Sequence, residues 1–243
     1  MTEAQSSRFK DAIWFPTEEV HCIVGGTGGI GTWLTLLLAR ATFIPIVYDF
    51  DIIEEHNMGG QLFPKRLIGK PKVESLKEIV KDFTDTEITI NNERYQKDSM
   101  SHHYVFSAFD NMKARKDMFE AWKEYVKDWR EYIDTIKNLD EESNTTFPFV
   151  PIFIDGRLTA EQLQIFCVTP DKIEEYEKHL FDDSEVEDAP CTMKQTSHSA
   201  AMIASHMVGF FTNHYTNNVV KDKDRNIPFL WEYFIPLNFI NEI

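Results

Sequence analysis

Cysteine is scarce, positive charge is scarce and long apolar runs are missing, and each shortage narrows what this chain can be. Three cysteines in 243 residues form an odd set with no C-x-x-C pair. Neither a disulfide framework nor the ligand pairs of a structural zinc site is available, so no zinc is expected and a reducing, cytoplasmic setting is the simplest reading. Twenty-five Lys and Arg against 40 Asp and Glu leave a formal net charge of −15. A surface that acidic does not wrap a phosphate backbone, so nucleic acid is not an expected partner, and a bound nucleotide would be held by local geometry. No apolar segment follows Met1 to Lys10, and no run approaches the roughly 20 residues of a membrane helix. A soluble chain without a membrane partner is expected. The 42% apolar and 13% aromatic content over this length suits one large globular domain.

The run from Cys22 to Gly31 reads as a buried strand, a glycine turn and a helix start. His21 to Val24 has strand character, and Gly26, Gly28 and Gly31 give G-x-G-x-x-G spacing, with Gly29 inside it. One glycine allows the tight turn, one lets the backbone approach a phosphate, and one lets the helix pack closely on the sheet. By itself the motif does not separate NAD, FAD, S-adenosylmethionine and ATP sites. Leu34, Leu37, Leu38 and Ala41 continue from Ile30 at helical spacing. Ile44 to Tyr48 is a second strand, apolar as a central parallel strand should be. It ends in Asp49-Phe50-Asp51, where this fold places the carboxylate that meets ribose hydroxyls. A solvated strand end is the plainer alternative. A polar loop carrying Asn57 and Gln61 follows, then a helix with Val73, Leu76, Ile79, Val80 and Phe83 on one stripe. Lys72 opens that helix, where the helix dipole favours an acid, so it makes better sense facing a phosphate.

Taken in order, Gly26-x-Gly28-Gly29-Ile30-Gly31, Asp49-Phe50-Asp51, Asn57 with Gln61, and Gly69-Lys70-Pro71-Lys72 resemble the adenylation domain of the ThiF/MoeB and ubiquitin-activating enzyme superfamily. The resemblance implies that Gly28 and its neighbours hold ATP phosphates, that Asp49 and Asp51 serve the ribose side, and that Asn57, Gln61 and Lys72 hold the triphosphate. Asp110-Asn111-x-x-x-Arg115, after the strand Tyr104 to Phe109, resembles the family's third phosphate-side motif. Its aspartate would hold Mg²⁺, an added role as N-cap being compatible. One residue departs from the pattern: the family's loop arginine is replaced by Gly60. Lys65, Arg66, or Arg8 from a partner subunit are the candidate substitutes, and loss of adenylation is the alternative.

Beyond residue 115 the resemblance thins. Glu87 to Ile90 reads as a strand. Met112 to Leu139 is a long helix whose Phe119, Trp122, Val126, Trp129, Ile133 and Ile136 recur at spacings of three and four, a seam expected to pack on its own domain. Glu141 to Thr146 reads as a linker. Pro151 to Asp155 and Leu163 to Val168 form a hairpin around Arg157 to Glu161, with Asp155 and Arg157 as candidates for substrate contact. An acidic loop, Asp182 to Asp188, precedes Pro190-Cys191-Thr192 and a helix with Ala200, Ile203, Ala204, Met207, Val208 and Phe211 on its apolar face. In ubiquitin-activating enzymes a Cys-Thr after proline accepts the activated acyl group, so Cys191 is a candidate nucleophile beside the alternative of a structural thiol. Cys22 and Cys167 read as core, His198 and His206 as ordinary helix residues, His102 and His103 as without a role, and Ile227 to Leu237 as an edge strand or clasp.

The expectation is an α/β, Rossmann-like fold with a mostly parallel central sheet, helices on both faces and an antiparallel C-terminal extension. It forms a single domain over 1–243, with a nucleotide-binding half at about 18–115 and a substrate-facing half at about 116–243. The resemblance implies ATP- and Mg²⁺-dependent adenylation of a carboxylate by a homodimer, with the C-terminus of a small ubiquitin-like protein or peptide as the expected substrate. Catalytic roles fall to Lys72, Asp110 and Cys191. A nucleotide-binding scaffold without turnover and an NAD-dependent oxidoreductase are the rivals, and the latter leaves Lys72 and Asp110 unexplained.

Overall fold

The computed structural model describes residues 8–139, 149–159, 161–183, 196–220 and 224–243. Eight strands form one sheet in the order β3-β2-β1-β4-β5-β6-β7-β8. Strands β1 (His21–Gly25), β2 (Ile44–Tyr48), β3 (Thr89–Asn91), β4 (Tyr104–Ser107) and β5 (Ile152–Thr159) run parallel. Strands β6 (Gln162–Val168), β7 (Leu230–Phe234) and β8 (Phe239–Glu242) continue the sheet antiparallel. This is the Rossmann-like α/β fold with its antiparallel C-terminal strands.

Period-two alternation on the central strands sends apolar side chains to both faces, so each face needs helices. Cys22, Val24, Val47 and Phe106 pack against α1 (Gly29–Arg40), α2 (Lys72–Phe83) and α5 (Ser197–Val219). Ile23, Ile46, Val105 and Phe153 pack on the other side against α3 (Met112–Leu139) and α4 (Ile173–Glu177). Phe119, Trp122 and Val126 of α3 are fully buried there, so the helical seam does pack on its own domain. Phe83, at the end of the α2 stripe, is instead exposed.

Three boundaries move. β3 is shifted to Thr89–Asn91, and β4 stops at Ser107. β5 runs past Asp155 to Thr159 because Thr159 still pairs with Gln162, so Arg157 is in the strand and not in a hairpin loop. The run Ile227 to Leu237 supplies β7, and β8, which lies beyond it, forms the sheet edge. The linker at 141–146, Cys191 and most of the acidic loop lie outside the described residues.

Candidate functional site

The strand order reverses at β1 and β4, where connections leave for opposite faces, and the crevice outside the carboxyl ends of such strands is where this fold can receive a ligand. The glycine turn closes the end of β1 there. Gly26 has a φ of +86°, and a Cβ on it would lie 2.9 Å from the Ala108 carbonyl oxygen. A Cβ on Gly31 would lie 1.8 Å from the Gly26 carbonyl oxygen, so α1 can start this close to the turn only with glycine at that position. Gly28 is different, since nothing lies within 4 Å of where its Cβ would be. It is also the N-cap of α1, with no side-chain cap and no acid in the first turn. The N–H groups of the first helical turn, including that of Gly29, thus have no side-chain cap, and an uncapped helix N-terminus suits an anion.

Asp49 holds this turn in place. One carboxylate oxygen accepts from the Thr27 backbone N–H at 2.6 Å and the Thr27 hydroxyl at 2.8 Å, and the other accepts from the Asp51 N–H at 2.8 Å. The carboxylate expected to meet a ribose therefore also splints the glycine loop. Nothing in a glycine motif requires the contribution of Thr27, and sequence reasoning missed it. A hydroxyl inside the glycine run was the one available signal.

Lys72 reaches the same edge because the chain after β2 folds back on itself. Ile53 N–H donates to the Lys70 carbonyl, Gly69 N–H to the Ile53 carbonyl and Lys72 N–H to the Asp51 carbonyl. The Lys72 ammonium, almost fully buried, lies 2.9 Å from a carboxylate oxygen of Asp51, which is half exposed. Asp51 thus orients the lysine from one side and leaves two of its three donors for an anion. Asn57 is buried and occupied, its side-chain oxygen accepting from the Glu54 N–H at 2.8 Å. Gln61 is not, because its side-chain oxygen is shut away from solvent with no hydrogen-bond partner. Leu62 N–H donates to the Thr32 hydroxyl of α1, and the Ser197 hydroxyl at the start of α5 donates to the Gly59 carbonyl at 2.8 Å. These two bonds hold the Asn57–Gln61 segment over the helix terminus.

Asp110 is exposed just beyond the end of β4, and among the described residues its hydrogen-bond partner is the Asn111 side-chain amide at 3.2 Å. It is not the N-cap. Asn111 accepts from the Ala114 N–H, and Asp183 accepts from the N–H groups of Met112 and Lys113. Asp110 is left free to take a cation. The described residues contain no group of three or more metal-ligating side chains. Such a site would hold Mg²⁺ through one carboxylate, with substrate oxygens and water supplying the rest, a usual arrangement for that ion.

Arg115, Asp155 and Arg157 are turned to structure. Asp155 is fully buried and pairs with Arg115, while its other oxygen accepts from Arg157 at 2.7 Å and the Tyr176 hydroxyl at 2.9 Å. Arg115 also donates to the carbonyls of Phe109 and Gly156, and Arg157 to that of His179. Burial alone would raise the Asp155 carboxyl, but the two guanidiniums outweigh it and hold the group below the ordinary aspartate range. With every polar atom used, Asp155 and Arg157 are not free to meet a substrate, and that expectation is corrected. Among the candidates for the missing arginine, Arg66 pairs with Glu78, whereas Lys65 and Arg8 are exposed.

A ThiF family model matches residues 16–240. Among solved structures, PaaA superposes with a TM-score of 0.68 at 14% identity, over 100% of this chain and 74% of PaaA. Escherichia coli MccB crystallised with ATP gives 0.63 at 13% identity over 95% of this chain and 65% of MccB. The same protein with MccA gives 0.67 at 14% identity, over 100% of this chain and 71% of MccB. E. coli tRNA N6-threonylcarbamoyladenosine dehydratase, TcdA, gives 0.57 at 13% identity over 87% of this chain and 92% of TcdA. The chain thus spans about two thirds to three quarters of the PaaA and MccB chains it matches. A search of curated protein sequences finds no match.

Proposed function

The chain belongs to the ThiF family, and from that premise we propose that it adenylates a carboxylate at the expense of ATP. The observation that carries the reading is the meeting, at one strand-order reversal, of the uncapped α1 terminus at Gly28, the Lys72 ammonium and the exposed Asp110. The residues fit a magnesium nucleotide. Gly28 leaves the backbone open, and Asp110 is paired with no cation among the described residues.

In the proposed reaction a carboxylate oxygen attacks the α-phosphorus of ATP, the bond to the bridging oxygen breaks, and acyl-AMP and pyrophosphate result. Two anions must approach one another, so fixed positive charge matters most in the transition state. Lys72, held by Asp51, offsets charge on the triphosphate, and the first-turn N–H groups of α1 bind a phosphate without having to reorganise. Asp49 keeps the glycine turn in shape for this. Asp110 would hold Mg²⁺, which supplies Lewis-acid stabilisation of the phosphate oxygens when bound. The N-terminal half, about 18–115, thereby carries the nucleotide, and the half from 116 to 243 faces the acyl substrate.

The carboxylate is best read as the C-terminus of a small protein or peptide. MccB crystallised both with ATP and with MccA supports a nucleotide plus a second partner. TcdA acts on a tRNA nucleoside by its name, but a net charge of −15 disfavours nucleic acid here. Transfer to Cys191 would be a second step, supported by the Pro190-Cys191-Thr192 run. Homodimerisation and a cytoplasmic location belong to the same proposal. Gly60 in place of the family arginine favours one rival, nucleotide binding without turnover. ATP–pyrophosphate exchange with candidate C-terminal peptides separates the two: peptide-dependent exchange lost in Lys72→Ala supports adenylation, and tight ATP binding with no exchange supports the rival.

A further inference from the structure

Phe50 lies between the two aspartates at the end of β2 and is about half exposed, large for an aromatic ring beside a buried strand. It does not stand alone. The Arg94 guanidinium lies 3.7 Å from its ring centroid, which is stacking distance. Arg94 follows the end of β3 by three residues, and β3 is the neighbour of β2 on the side away from β1. The pair therefore sits on the rim of the same sheet edge as Asp49, on the far side of the ribose position from the α1 terminus.

Two contacts hold Arg94's segment to that rim, and a third braces the segment internally. Asp49 N–H donates to the Asn91 carbonyl at 3.2 Å. Tyr95, the next residue after Arg94, is buried with its ring 5.0 Å from that of Tyr48, and its hydroxyl donates to the Met100 carbonyl at 3.0 Å. Arg94 itself makes no ion pair with a described residue although Asp49, Asp51 and Glu93 are neighbours in the fold or the sequence. An exposed cation stacked on a ring adds little to stability. The segment is thus anchored through Tyr95 while Arg94 presents a planar cation to solvent.

We propose that Arg94, supported by Phe50, is the platform on which the base of the bound nucleotide stacks. This rests on the adenylation reading above and specifies its nucleotide. In a doubly wound sheet, phosphates at the first helix and ribose at the end of β2 direct the base outward over the β2–β3 rim. A guanidinium offers a flat face to any aromatic base, more of it to a purine than to a pyrimidine, and does not read the base edge. Selection is therefore for purine nucleoside triphosphates by stacked area, with ATP and GTP close in affinity.

The test is calorimetric titration of wild type, Arg94→Ala and Arg94→Lys with ATP plus Mg²⁺ and, separately, with inorganic tripolyphosphate plus Mg²⁺. The proposal expects Arg94→Ala to weaken ATP about tenfold and to leave tripolyphosphate affinity within about twofold, with Arg94→Lys resembling the alanine variant because charge without the flat face is insufficient. It is overturned if Arg94→Ala binds ATP as wild type does, or if ATP and tripolyphosphate weaken equally, which would make Arg94 a general charge. Those outcomes leave the adenylation reading standing. Failure of the wild type to bind ATP at all would overturn that reading and this one together.

Discussion

Two sets of charged residues sit on the parallel part of the sheet, and they differ in what they leave unused. Around Asp155, on β5, two guanidiniums and a tyrosine hydroxyl meet one buried carboxylate, and the guanidiniums also donate to three backbone carbonyls. Around Gly28, between β1 and β2, the helix N–H groups are uncapped, the Gln61 oxygen is orphaned and Asp110 is open to solvent. Residue type is the same in both places, carboxylates with Lys or Arg. Unused hydrogen-bonding capacity is what makes the second a candidate ligand site and the first a brace between α3, β5 and α4.

The largest effects should fall where the glycine turn is closed. Gly31→Ala forces a Cβ into the Gly26 carbonyl, so loss of about 4 kcal/mol or failure to fold is expected in urea unfolding. Gly28→Ala meets nothing and should change stability by less than about 1 kcal/mol while weakening nucleotide binding. Equal effects of the two would erase the distinction between a packed and an open glycine. Next comes Asp155→Ala, which strands two buried guanidiniums and should cost about 3–5 kcal/mol by thermal or urea unfolding. A near-neutral result would mean that the network is not a brace. In the open set the order reverses. Lys72→Ala should reduce exchange activity about 10²–10³-fold, and Asp110→Ala should abolish the Mg²⁺ dependence of ATP binding with a stability change within about 0.5 kcal/mol.

The pH dependence separates the same two kinds of group. Asp155 has its carboxyl lowered in the folded state. Its contribution is therefore present above the ordinary aspartate pKa and lost as pH falls below that value. His214, at the amino ends of the strands, is pushed down to about 4 by burial, with its ring nitrogen bonded to the Val150 carbonyl. The unfolded chain binds the proton first, so stability falls as pH drops from the ordinary histidine value of 6.5 toward 4. His214→Gln should flatten that part of a stability–pH profile by a smaller amount than the mutations above.

Much of the fold from β1 to β2 was legible in the sequence because its signals are local. Glycine spacing, apolar strands and the Asp-x-Asp run each lie within a few residues, and β1, α1 and β2 follow them. Long-range partners were not legible. That Asp49 grips Thr27, that Asp51 orients Lys72 across 21 residues, and that Asn111 and Asp183 cap α3 in place of Asp110 depend on how distant segments meet. Asp155 and Arg157 misled for a related reason. Alternating charge at a strand end looks the same whether it faces a crevice or a buried Tyr176 delivered from α4.

The most direct test of the nucleotide site is calorimetric titration of the full chain with ATP plus Mg²⁺ and with NAD, using Asp110→Ala as control. The account predicts ATP binding that requires Mg²⁺ and weakens in Asp110→Ala, with no comparable binding of NAD. Binding of NAD alone, or of neither nucleotide by a folded protein, would contradict it.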